Sequence, residues 1–332
     1  MTSSASVPIT RQGPSWVSVV LWFALTLALV VGAPALPWQR AFEQMKVVET
    51  KWIAAAVLAN LLVLPLWAAE WRLLVPGAIR VAYGRMFEVV AVTAAVLNSV
   101  PLFAGEASAV ALLIARAGLS RGAALSVLAM DQLLVGFAKL TVLASAALVA
   151  PLPGWLRTGV LSLVLLVLAM LVVLLPLAHG WTSIRDRLLA RRSSIRVGAA
   201  RLVEWGAHFD VLREGRRAWR VALLALAKKA AELVGILAVQ MAFGIEPSIA
   251  AALLLLGALA ITTLLPVAPA NLGVYEATVF ATYRFLGVPA EAALGLAIVQ
   301  HLCVLLPSLA TGYCILTLRQ LPQLPPKRPS AS

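Results

Sequence analysis

The chain has 332 residues, 62% hydrophobic and only 12% charged, with a mean hydropathy of +0.95. Soluble domains carry about 25% charged residues, so this composition excludes an ordinary soluble enzyme and fits several spans of about 20 residues each. The net charge of +13 points to cytoplasmic loops facing anionic lipid rather than to nucleic acid.

In chain order, residues 1–14 read as a cytoplasmic N-terminus. The apolar run 16–31 after Arg11 is long for a signal core, and Pro34 would follow the cleavage point, so it reads as a retained span. Further apolar segments cover about 52–69, 86–104, 105–117, 122–150, 155–178, 221–244, 248–266, 272–287 and 290–318. Segments 105–117 and 272–287 are too short or too polar at one end to span alone. Each follows a Pro/Gly break, so 86–117 and 248–287 read as two hairpins that re-enter on the side they left. The expected fold is an all-α integral membrane bundle. One transmembrane domain covers 15–318, and residues 319–332, rich in proline, form a disordered cytoplasmic tail. Cys303 and Cys314 fall in the last segment, 11 residues apart. That is about 16 Å along a helix, too far for a disulfide within it, so both read as packing residues.

Loop charges set an orientation. Arg72, Arg80 and Arg85 follow the second span, and Arg116 and Arg121 follow the first hairpin. Ten arginines against four acids lie between 180 and 220. Placing these inside puts both termini in the cytoplasm, in what reads as a bacterial inner membrane. The first hairpin then opens to the cytoplasm and the second outward. Within the loop 179–220, Leu202, Trp205, Phe209 and Leu212 recur at spacings of three and four. That pattern describes an amphipathic interfacial helix, either a topology anchor or a site for anionic lipid.

Two polar interruptions resemble each other. The first is Asn98-Ser-Val-Pro101-Leu-Phe-Ala-Gly105-Glu106, and the second Pro266-Val-Ala-Pro269-Ala-Asn271-Leu-Gly273-Val-Tyr275-Glu276. Pro101 to Gly105 and Pro269 to Gly273 are both four residues. Gly118-Leu-Ser120 and Ala123-Ala124 recur as Gly287-Val-Pro289 and Ala292-Ala293, and Asp131 aligns with Gln300. With opposite orientations, this suggests inverted repeats over about 52–150 and 221–318. Broken helices in inverted repeats are a transporter signature, with the site near the midplane.

Carboxylates and helix breaks at membrane depth are expensive and mark sites. Glu106 and Glu276 are therefore the leading candidates for headgroup recognition or a proton-coupled step, and each is equally placed to cap a helix N-terminus. Asn98 and Asn271 are placed to bond headgroup oxygens or to satisfy broken backbone, and Tyr275 stands beside Glu276. Pro101, Gly105, Pro269 and Gly273 are the structural breaks. Asp131 and Lys139, eight residues apart, lie on nearly one helix face, with Asp131 available to a hairpin group. Glu70 and Arg72 read as interfacial. Glu232 reads as a local partner of Lys228 four residues before it, and His301 as a bundle residue. His179, His208 and His301 show no metal spacing. There is no P-loop and no G-x-G-x-x-G or G-x-S-x-G, so no metal, cofactor, ATP site or enzymatic activity is expected.

Asn98-x-x-Pro101-x-x-x-Gly105-Glu106 with Gly118-Leu-Ser120 and Asp131 resembles the membrane region of lysylphosphatidylglycerol synthases. So does Pro269-x-x-x-Gly273-x-x-Glu276 with Gly287 and the pair Ala292-Ala293. The resemblance covers about residues 15–318 and implies a stand-alone, flippase-like lipid translocation fold without the aminoacyltransferase. It implies movement of an aminoacylated phospholipid, a glycolipid precursor or a hopanoid, with a lipid-modifying enzyme as a possible partner. The chain departs from the family pattern at three points. Ala109 stands where an arginine is common, Ala270-Asn271 where Gly-Gly is common, and Gln132 follows Asp131 where an arginine often does. Loss of these arginines suits a less anionic or differently headed substrate. A lipid-open polar cavity would favour a transporter. A closed pocket with two carboxyls would favour an intramembrane headgroup enzyme, and a filled bundle a scaffold for a lipid-modifying enzyme.

Overall fold

The structure, a computed structural model, describes residues 34, 36–77, 79–100, 104–149, 154–178, 214–264 and 268–320. The expected first span, Pro101, most of the basic loop (179–213) and the tail from 321 onward lie outside the described residues. From Pro37 on, the chain belongs to one compact unit, and its described residues form helices and no strand.

The helices are α1 (Trp38–Lys46), α2 (Thr50–Leu61), α3 (Val63–Leu74), α4 (Tyr83–Ser99), α5 (Ala104–Ala115), α6 (Arg121–Val149), α7 (Gly154–Ala178), α8 (Gly215–Ala242), α9 (Ile249–Thr262), α10 (Val274–Phe285) and α11 (Ala290–Gln320). Three helical stretches are long and apolar enough to cross a bilayer: Thr50–Leu74, Arg121–Val149 and Ala290–Arg319. The first is α2 and α3 together. Pro65, in the first turn of α3, has no N–H for the carbonyl four residues back, which interrupts the helical hydrogen bonding beside Leu62.

The surface is inverted relative to a soluble protein. Leu58, Leu161, Leu165, Val172 and Leu306 are exposed, while Glu70, Asp131, Lys228, Gln240, Gln300 and His301 are buried. Such an arrangement is stable only where the surroundings are apolar, so the helices present leucine and valine to lipid and keep polar groups for one another.

Both interruptions fall between helices, α4 and α5 for the first and α9 and α10 for the second. Val100 is extended (φ −121°, ψ 142°), as the ring of a following proline requires. The second break is a single 3₁₀ turn, Pro269–Asn271, followed by Gly273 at φ 84°. Ala270 and Asn271 sit at φ 52° and 53°. Left-handed backbone costs an L-residue roughly 1–2 kcal/mol, so both residues hold a strained conformation that glycine would adopt freely. The helix ends after the hairpins also correspond, with Gly118 at φ 71° and Gly287 at φ 83°. Ser120 Oγ then caps α6 by accepting from the Ala123 N–H (3.2 Å).

Packing joins helices far apart in sequence. Helix α4 lies on α11, α9 lies on α6, and α8 lies along α2 and α3. Small residues permit the approach. A Cβ on Gly312 of α11 would run into the Ala91 carbonyl oxygen and Ala95 Cβ of α4. Within the hairpins, a Cβ on Gly105 would lie 3.0 Å from Leu97 Cα, and the Thr278 and Thr262 hydroxyls hydrogen-bond at 2.9 Å.

Candidate functional site

Glu106 and Glu276 take the same helical position: each is the third residue of its short helix, α5 or α10. The glycines before them do not match. Gly105 lies inside the first turn of α5, while Gly273 is the N-cap of α10. The two carboxylates then diverge. Glu276 Oε2 accepts from the Gly273 N–H (2.7 Å), and its Oε1 lies 2.8 Å from His301 Nδ1 on α11. The Tyr275 ring stacks on His301 with centroids 4.3 Å apart. His301 is thus the partner of a hairpin glutamate. Glu106 Oε2 is buried with no hydrogen-bond partner among the described residues.

Two adjoining cavities organise the polar groups. The larger, about 240 Å³, is lined by Asn98 and Glu106 from the first hairpin, Asn271 from the second, and Gln132 and Lys139 from α6. The smaller, about 110 Å³, is lined by Asn60 of α2, Lys229 and Glu232 of α8, Tyr275 and Gln300, and again by Lys139. Lys139 and Thr263 belong to both walls. Lys229 Nζ bonds both Glu232 oxygens at 2.6 and 2.7 Å. The expected Lys228–Glu232 pair is therefore replaced by one of neighbouring register, because Lys228 faces another way. Glu276 lines neither cavity.

Lys228 enters a separate buried cluster between α3, α6 and α8. Its Nζ donates to Glu70 Oε1 (3.0 Å), lies 2.9 Å from Oε2 outside hydrogen-bond alignment, and is 3.8 Å from Asp131 Oδ1. Asp131 Oδ1 also accepts from the indole N–H groups of Trp67 (2.9 Å) and Trp71 (2.8 Å). Glu70 is 0%, Asp131 2% and Lys228 7% exposed. Two carboxylates out of water are tolerable only because one ammonium and two indole donors face them. Two expectations change here. Glu70 is interior rather than interfacial, since Lys228 draws it in across the helices. Asp131 bonds the tryptophans of α3 rather than a hairpin group, because that face of α6 turns away from the cavity.

A more open groove of about 500 Å³ is lined by Arg72, Arg80, Arg217 and Tyr83. Two of these arginines are spent on backbone. Arg72 donates to Val81 O (3.1 Å), and Arg217 to Leu73 O (2.6 Å) and to Val75 O. Among the described residues no group of three or more His, Cys, Asp or Glu side chains is placed to hold a metal ion.

Of the candidates read from sequence, Asn98, Glu106 and Asn271 meet in one cavity and Tyr275 lines its neighbour. Glu276 and Asp131 are held in internal networks. Pro269 begins the 3₁₀ turn of the second break and Gly273 caps the helix after it. Gln300, Asn60 and the Lys229–Glu232 pair were not singled out for the site.

Fold and site together define a polytopic helical membrane protein with a polar cavity between two broken helical pairs. The chain belongs to the family of the lysylphosphatidylglycerol synthase TM region, which matches residues 15–312. No curated protein and no solved structure gives a significant match.

Proposed function

We propose that this protein is a flippase-like transporter that moves a polar-headed lipid between leaflets, with the headgroup in the paired cavities. One observation carries the reading: polar residues from both interruptions, 165 or more residues apart in sequence, line one cavity. Membership of a lipid-linked membrane family supports it. A polar cavity inside an apolar shell lowers the cost of passing a headgroup through hydrocarbon.

Inverted repeats and re-entrant hairpins are part of the proposal. Helices α5 and α10 have 12 residues each, and α9 has 14. At 1.5 Å per residue these reach about 18–21 Å, short of a hydrocarbon core of about 30 Å. The reciprocal packing of α4 on α11 and α9 on α6 is what a two-fold relation between halves requires. The loop charges support cytoplasmic termini in a bacterial inner membrane, with anionic lipid at the basic loop. A non-enzymatic role is part of the proposal: the two hairpin glutamates do not line one cavity, Glu106 facing the larger and Glu276 facing neither.

The test is reconstitution into liposomes with labelled lipid. Leaflet exchange should depend on the protein and fall more than tenfold in Glu106→Ala. Exchange equal to that of protein-free vesicles would remove the transport reading and favour a scaffold.

A further inference from the structure

The buried cluster between α3, α6 and α8 is one positive charge short. Lys228 supplies a single ammonium against the two carboxyl groups of Glu70 and Asp131, and the Trp67 and Trp71 indoles that donate to Asp131 carry no charge. The two carboxyl groups also lie within hydrogen-bond reach of each other. Neither could donate if both were ionised, and Glu70 Oε2 has no aligned donor among the described residues. Both side chains are buried. Two carboxyl groups held together out of water keep one proton between them, because mutual repulsion and lost hydration both oppose a second negative charge. No other described charged group acts on Glu70. On the helices around it, Lys229 and Glu232 of α8 pair with each other, and Glu106 of α5 and Lys139 of α6 face the cavities. On α4, Arg85 is exposed and Glu88 pairs with Arg319.

We infer that Glu70 and Asp131 share one exchangeable proton and form a proton-coupling site. The coupling rests on the transport reading above; the shared proton does not. The way in is short. Glu70 lies four residues before Leu74, the end of α3, about 6 Å along the helix axis. Its neighbours Ala69 and Leu73 line the open groove that holds Arg72 and Arg80. A proton arriving from that groove closes the O–H···O bond between the two carboxyl groups, and its departure opens that bond. Loaded, the cluster is neutral: one ammonium, one carboxylate and one carboxylic acid. Unloaded, it carries one net negative charge, and two carboxylates repel each other across α3 and α6. Helices α6 and α8 also carry the cavity residues Gln132, Lys139, Lys229 and Glu232. The charge state of the cluster therefore acts on the cavities through the two helices that help build them, with no contact between proton and cargo.

Infrared spectra of the purified full chain in detergent at neutral pH read the proton directly. A protonated-carboxyl C=O band should be present and should shift in heavy water. It should be lost in both Glu70→Gln and Asp131→Asn, since either amide leaves one carboxylate for one ammonium, and both near-isosteric variants should keep a monodisperse peak. No such band in the unaltered chain, or a band that survives both variants, would overturn the shared proton. A band that does not shift in heavy water would mark a sealed proton and overturn the coupling. The second arm uses vesicles of phosphatidylethanolamine and phosphatidylglycerol with labelled lipid. An imposed difference of about one pH unit should speed leaflet exchange about threefold or more, within the roughly tenfold that the proton ratio allows, and should leave Glu70→Gln unchanged. Exchange indifferent to the pH difference would overturn the coupling and leave the transport reading standing. Absence of exchange at any pH would remove the transport reading and the coupling with it, while the infrared band still decides the shared proton.

Discussion

Glu106 and Glu276 begin their short helices at the same position, yet one is closed and the other open. Glu276 spends one oxygen on the Gly273 N–H and the other on His301. Glu106 keeps an unpartnered oxygen against a cavity. The Glu70–Lys228–Asp131 cluster belongs with Glu276, since its charges face one another and two indole donors. A buried polar group whose partners are all internal holds helices together, while one that faces a cavity is open to water or to a ligand. Sequence made the two glutamates equal candidates, and their surroundings separate them.

The contrast yields graded consequences. Lys228→Met leaves two carboxylates buried without their cation and should cost about 3–5 kcal/mol, read as a large fall in the thermal midpoint or loss of a monodisperse peak in detergent. Glu276→Ala removes a cap and the His301 contact. It should cost about 1–2 kcal/mol, at the modest end because polar contacts in membranes are worth less than isolation suggests. Ala270→Gly relieves left-handed backbone and should gain about 0.5–1 kcal/mol, part of the relief being offset by a more flexible unfolded chain. Glu106→Gln should shift stability by less than about 0.5 kcal/mol and still slow leaflet exchange more than tenfold. If its cost in the same melt equals that of Glu276→Ala, the distinction between the two glutamates fails.

Much of the fold is legible along the chain. The broken segments, the left-handed Gly118 and Gly287 and the long helices α6 and α11 follow from runs of apolar residues punctuated by proline and glycine. The site is legible in part. Asn98, Glu106 and Asn271 stand out as polar groups within apolar runs, and Pro269 and Gly273 mark the break beside them. Lys139, Asn60 and Gln300 do not, because a lone polar residue on a long apolar helix carries no mark of what it faces. Lys228 misled for a related reason. Its nearest acid in sequence is Glu232, but its partner is Glu70, 158 residues away.

By itself, then, the sequence determined the solvent and the local breaks. Hydrocarbon leaves a helix as the only open-chain solution for these apolar runs, and proline and glycine act on the turn in which they sit. Which polar groups are satisfied was decided only by the tertiary structure. Hydrogen bonds and ion pairs act over about 3 Å, and the rotation of α6 and α8 about their axes sets whether a side chain meets a partner across the bundle or lines a cavity.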